Sequence, residues 1–183
     1  DSRALARALA EAFRRAGGRL LTGETVTGIE PGAAITATGR HTGDAVIVAA
    51  GPWSAALGLP VRPVKGQMIA LAPPARAGLP EPVIWGNGVY LVPRKDRLLV
   101  GATMEEAGFD MALAAAARDD LRARAEALIP GLKDWALAEH WAGLRPASPD
   151  SLPLLGRLAS GVFVAAGQYR NGILYAPAVA DLM

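Results

Sequence analysis

Residues 141–156 read WAGLRPASPDSLPLLG. An apolar, strand-like run stops at Arg145, and Pro146 opens a Pro-rich turn. Arg145 therefore stands at a strand end, where a planar guanidinium offers a rigid two-pronged donor to a carboxylate. The fold follows from what flanks this stretch. Before it, residues 61–71 (VRPVKGQMIAL), 89–93 (VYLVP) and 97–103 (RLLVGAT) resemble strands, with intervening turns that suit an antiparallel sheet. Residues 135–144 supply a further strand of that sheet. After it, residues 162–166 (VFVAA) form a buried-type strand leading to Gly167. A helix begins after Gly172, with Pro177 tolerated in its first turns.

The opening residues have the character of that last segment. Ser2 is placed to cap a helix reaching Ala16, with Leu5, Leu9, Phe13 and Ala16 on one face, and Gly17 and Gly18 end it. Residues 19–22, 25–30 and 34–37 read as short strands. Residues 45–50 (AVIVAA) are continuously apolar, as for a strand covered on both faces, and Gly51 and Pro52 break them ahead of a short helix or turn over residues 53–57. Residues 111–129 read as a helix with Leu113, Ala117, Leu121, Ala125 and Leu128 facing inward. The fold class is thus α/β with an inserted antiparallel sheet: residues 1–60 form one layer, 61–147 the insertion, and 148–183 the return.

Composition bounds the function. Of the 183 residues 51% are hydrophobic and 20% charged, a globular balance, and the 21 Gly and 14 Pro imply many turns. Lys+Arg 19 against Asp+Glu 17 gives a net charge of +2 without a basic stripe, which argues against nucleic-acid binding. No cysteine is present, so there is no disulfide, thiolate metal site or cysteinyl cofactor linkage, and His41 and His140 are too few for a zinc site. No apolar run approaches membrane-spanning length and no signal-peptide pattern opens the sequence, so a cytoplasmic location away from membranes is expected. The chain enters directly into a helical pattern without Met and stops inside another, and it reads as a piece of something longer.

Neither a Walker A loop nor a G-x-G-x-x-G turn occurs; Gly86 and Gly88 are followed by Leu91 where the last glycine would fall. No nucleophile elbow is visible. What remains are polar residues at strand ends: Tyr90 in YLVPR, Arg145 in WAGLR and Arg170 in GQYRNG. Together they can hold a small carboxylate. Each also has an ordinary explanation, which ranks ahead on spacing alone: Arg145 paired with Asp150, Arg170 a loop charge, Tyr90 a core residue with its hydroxyl at the rim. Gly51 and Gly172 either admit a ligand close to the backbone or simply make turns. Glu105 and Glu106 read as solvated neighbours on opposite strand faces, His140 as structural or exposed, and Met68 and Met104 as packing residues, with Met104 also placed to line a cavity.

Taken in order, VIVAAGPWS, PVKGQMIAL, YLVPR, GATMEEAGFD, WAGLRPASPDSLPLLG and YRNGILYAPA form a series that resembles the C-terminal half of the FAD-dependent glycine oxidases, in the D-amino-acid oxidase superfamily. The resemblance runs over the whole chain. It implies a FAD-binding Rossmann-like domain, present in part, carrying an inserted antiparallel substrate domain. Arg145 would then bind the substrate carboxylate, Tyr90 would add a hydroxyl contact, Arg170 would close the site beside the substrate, and Met104 would form part of the pocket wall. Val26 would touch the adenine side of FAD, and Gly51 and Trp53 would lie along the ribityl and isoalloxazine portion. Gly172, Ile173 and Leu174 would meet the flavin through backbone groups, with the positive end of a helix starting near Leu174 aimed at the ring edge where charge develops on reduction.

No acid or base is required by this scheme. Hydride transfer from the substrate Cα to flavin N5 needs alignment, the imine hydrolyses, and O2 reoxidises the flavin to give H2O2. The implied substrate is glycine or another small amino acid or amine, with a role in thiamin biosynthesis. The N-terminal glycine-rich turn that seats the FAD pyrophosphate is missing, so non-covalent FAD binding is expected to require that segment, through a complementing N-terminal chain if not the same one. Gln168 stands where the family often has His. A homo-oligomer is also compatible. Two alternatives stay open: the flavin domain of a tRNA wobble-modification enzyme, and a non-catalytic fragment.

Overall fold

The computed structural model describes residues 1–183. Asp1, not Ser2, caps the first helix: its carboxylate accepts from the backbone of Arg3 (2.9 Å) and Ala4 (3.2 Å), and Ser2 is already helical. In chain order the elements are α1 (Ser2–Arg15), β1 (Val26–Glu30), β2 (Ala33–Thr36), β3 (Gly39–Thr42), β4 (Val46–Val48), a 3-10 helix (Gly51–Leu57), β5 (Arg62–Ala72), β6 (Ile84–Gly86), β7 (Val89–Arg94) and β8 (Arg97–Gly101). They continue through α2 (Ala115–Leu128), a second 3-10 helix (Pro130–Asp134), β9 (Ala136–Ala147), β10 (Leu154–Ala159), β11 (Val162–Ala166) and α3 (Gly172–Leu182). This is a mixed α/β architecture. No helix is long and apolar enough to cross a membrane.

The chain divides into two compact units, one of Asp1–Arg62 with Pro146–Met183 and one of Pro63–Arg145. In the first, β10, β11 and β4 form a three-stranded sheet, with β11 parallel to β4 and antiparallel to β10. Val48, Leu59, Val61, Val162, Val164 and Ala166 make its core. β4 is shorter than the apolar run of residues 45–50 suggests and is not covered on both faces: Ile47 is 53% exposed at the sheet edge. A second small sheet, β1–β2–β3, is antiparallel throughout. Residues 19–22 are not a strand, while β3, β6 and β10 arise where no strand pattern was legible. The apolar face of α1 stays open, with Leu5, Leu9 and Phe13 all exposed.

The second unit is built on a five-stranded sheet in the order β6–β7–β8–β5–β9. Asn87 and Gly88, with φ of 47° and 72°, make the tight β6–β7 turn between paired Gly86 and Val89, as expected for Asn-Gly in a hairpin. Ile69, Leu71, Val89, Leu91, Leu98 and Val100 point to one face, where Leu121 and Ala125 of α2 cover them. Each fully buried side chain of that size contributes about 1.5–3 kcal/mol. α2 starts at Ala115, later than the apolar pattern from Met111 suggests, because the backbone at Ala114 is extended; Leu113 is 50% exposed. Arg122 then closes the helix C-terminal side, donating to the carbonyls of Lys133 and Trp135 (both 2.9 Å).

Candidate active site

Strand alternation sorts the second unit's sheet into two faces with different chemistry. On β5, Ile69 and Leu71 face α2, so Gly66 and Met68 face the other way. Across the strands Trp85 pairs with Tyr90, Tyr90 with Gly101, and Gly101 with Met68, which places all four in one row on that second face. Gly101 has no side chain there, and the Tyr90 hydroxyl and Met68 thioether occupy the space; a Cβ on Gly101 would fall 2.6 Å from the Tyr90 hydroxyl. That hydroxyl donates to Met68 Sδ at 3.7 Å, and the Tyr90 ring is tilted against Trp85 with centroids 5.2 Å apart.

Arg145, near the end of β9, lays its guanidinium over Gly66 on this same face, where any Cβ at Gly66 would fall on it. Arg145 Nη1 donates to the carbonyls of Lys65 (3.3 Å) and Thr103 (3.2 Å). It has no carboxylate partner, and Nε and Nη2 have no acceptor within the chain. The pairing with Asp150 is not formed, since Asp150 is taken up by its own turn, accepting from Leu152 N (3.0 Å) and Ser148 Oγ (3.3 Å). Gly66 and Met68 are two residues apart along a strand, roughly 7 Å. A half-buried guanidinium with free donors and a phenol thus stand over neighbouring positions of one sheet face.

The opposite face holds a polar cluster that the sequence did not reveal. Lys65, buried, donates to the carbonyl of Ala112 (2.5 Å) and lies 3.6 Å from the Glu105 carboxylate and 3.9 Å from that of Asp110. Gln67, fully buried, donates to Glu105 (2.9 Å), and its carbonyl oxygen accepts from Ala114 N (2.9 Å). Since that oxygen can only accept, His140 Nε2, 3.0 Å away, carries a proton and donates to it. Burial, and then Arg118, hold His140 below its ordinary 6.5 against the opposing pull of Asp119. Burial also raises Glu105, but donation from Thr103 and Gln67 and the Lys65 charge outweigh it, leaving the carboxyl below 4.5. Glu105 is therefore not the solvated neighbour of Glu106 that adjacent strand positions suggest.

The other expected site residues fall as follows. Met104 is 65% exposed in the segment after β8. In the first unit, Val26 begins β1 and is partly exposed (38%), Gly51 begins the first 3-10 helix at φ 54°, and Trp53 within it is 60% exposed. Arg170 is exposed and has no partner. Ile173 (57% exposed) and Leu174 (77%) lie in the first turn of α3, which starts at Gly172 rather than at Leu174. The backbone N–H groups of Gly172, Ile173 and Leu174 precede the first helical bond, Tyr175 N to Asn171 O (2.9 Å), and have no acceptor. Gly66, Met68, Trp85, Gly101 and Thr103 were not singled out as site residues by sequence reasoning. The period-two alternation of β5 and its pairing partners carries the signal, but only once the register is known.

Comparison with known proteins gives this arrangement a context. Glycine oxidase of Pseudomonas aeruginosa is 42% identical over 179 residues, covering 91% of this chain and 47% of the relative. The bifunctional protein ThiO/ThiG of Synechocystis sp. is 41% identical over 194 residues, covering 100% of this chain and 30% of the relative. The crystal structure of glycine oxidase from Geobacillus kaustophilus superimposes with a TM-score of 0.91 at 37% identity, covering 97% of this chain and 51% of that one. The chain spans about half the length, or less, of the curated relatives it matches. The family model described as DAO, FAD dependent oxidoreductase, matches residues 1–183, and the chain belongs to that family.

Proposed function

We propose that this chain is the C-terminal, substrate-binding portion of an FAD-dependent oxidase that deaminates glycine or a similarly small amino acid. The observation that carries the reading is Arg145, whose guanidinium is fixed by two backbone carbonyls and left without a carboxylate of its own. A charge held in place with free donors is prepared for a carboxylate brought by a ligand. Tyr90 adds a hydroxyl on the same face, and Met68 and Trp85 give it an apolar flank. Glycine oxidases among the relatives favour glycine, and the ThiO/ThiG relatives favour a place in thiamin biosynthesis.

The residues present suit a flavin. The three unpaired N–H groups opening α3 offer donors and a positive helix end to an electron-rich ring edge. At Gly51 the space a Cβ would occupy is open, so a ligand can approach the backbone there. When bound, non-covalently and with the glycine-rich segment absent here, the flavin supplies two-electron oxidation of the amine to an imine, with O2 restoring the oxidised ring and leaving H2O2. Arg145 contributes by holding the carboxylate.

The full-length protein should purify yellow, and glycine should bleach it under anaerobic conditions. A colourless full-length protein, or a flavin that glycine leaves oxidised, would overturn the proposal.

A further inference from the structure

The two carbonyls that orient Arg145 differ in how they come to be available. β5 and β8 pair in regular antiparallel register as far as Met68 with Gly101. Beyond it the partners are Lys65 and Glu105, so the second strand carries one more residue than the first over this interval. The extra residue, a bulge at Ala102, turns Thr103 and Glu105 to the polar face while Gly101 stays on the face of Arg145. Lys65 and Glu105 exchange both backbone bonds (2.9 Å each), and the Lys65 oxygen accepts Arg145 in addition.

At Gln67 and Thr103 the exchange is only half made by backbone. Thr103 N donates to Gln67 O (3.1 Å). Gln67 N, which a regular ladder would direct to the Thr103 carbonyl, donates instead to the Thr103 hydroxyl at 2.8 Å. That hydroxyl in turn donates to Glu105. The Thr103 carbonyl is thereby released from the sheet, and it accepts Arg145 Nη1 at 3.2 Å.

We propose that Thr103 is a positioning residue for Arg145: its hydroxyl stands in for its own carbonyl in the ladder, and the freed carbonyl sets the angle of the guanidinium. The inference rests on the reading of Arg145 as a carboxylate anchor. Without the hydroxyl, Gln67 N would reclaim the carbonyl to avoid being left unpaired in a buried position, and the guanidinium would lose one of its two fixed points.

The test uses the full-length flavin-loaded enzyme and acetate as a non-reacting carboxylate, titrated by the change in flavin absorbance. Thr103→Val, which keeps the shape, should weaken acetate about tenfold and raise KM for glycine by a similar factor, with kcat within about twofold. Flavin content and turnover of ethylamine, which has no carboxylate, should stay unchanged. Thr103→Ser should restore acetate affinity to within about twofold, and Thr103→Ala should repeat the Val result if Val does not fold. Wild-type acetate affinity in Thr103→Val or Thr103→Ala, while Arg145→Ala loses it, would overturn the role of Thr103 and leave the carboxylate anchor standing. Failure of Thr103→Ser to restore binding would overturn the role of Thr103 in the same way. Undiminished acetate binding in Arg145→Ala would overturn both.

Discussion

Substituting Lys for Arg145 keeps the positive charge but removes the planar fork, so it separates attraction from geometry. A lysine ammonium cannot bridge the carbonyls of Lys65 and Thr103 and still present two parallel donors outward. Arg145→Lys in the full-length enzyme should therefore raise KM for glycine by roughly tenfold or more, of the order of a lost charge-assisted bond, and steady-state kinetics would show it. Glu105 gives a pH prediction of definite sign. Its carboxyl lies below 4.5 when folded, so its contribution is complete above that value and disappears as pH falls through the lowered one. Thermal unfolding should show wild type losing stability more steeply than Glu105→Gln below about pH 4.5. A constant gap between the two at every pH would remove Glu105 from the acid response.

Among the elements, β5 decides most. It buries Ile69 and Leu71 under α2, carries Lys65 and Gln67 in the polar cluster, and leaves Gly66 bare beneath Arg145. Gly66→Ala would set a methyl group on the guanidinium and push it off its carbonyls. KM for glycine should rise at least tenfold, with folding retained, since Gly66 lies at ordinary strand geometry. The first 3-10 helix offers a stability test. Ser54 is fully buried and its hydroxyl has no partner, so Ser54→Ala should be neutral or stabilising by up to about 1 kcal/mol, readable as Tm. A loss of more than that would mean the hydroxyl is paired in solution.

In the second unit β5, β7, β8 and β9 were legible because each runs to several residues with apolar alternation ended by turn residues, whereas β6 (Ile84–Gly86), only three residues long, was not. β3 (Gly39–Thr42) was not, because all four of its residues are exposed and it pairs without burying anything. α1 and α3 were legible as helices, yet neither has a buried residue, and no pattern in them says what lies against their apolar sides. Arg145 was legible as a candidate from its strand-end position alone. Its supports were not: Thr103 and Gly66 matter through a bulge and a cross-strand approach, both of which depend on register.

At the scale of the whole molecule, family membership points to FAD as the cofactor class, and under the proposed function substrate choice would lie with the sheet face of the second unit. Small amines differing by a methyl group are separated only modestly by such a surface, whereas loss of the carboxylate should be felt strongly because the guanidinium would be left without its partner. The most direct measurement is the ratio of kcat/KM for glycine to that for ethylamine in the full-length enzyme and in its Arg145→Ala variant. The ratio should fall by about 30-fold or more in the variant, equivalent to about 2–3 kcal/mol, with flavin content unchanged. An equal loss for both substrates would contradict Arg145 as the carboxylate anchor.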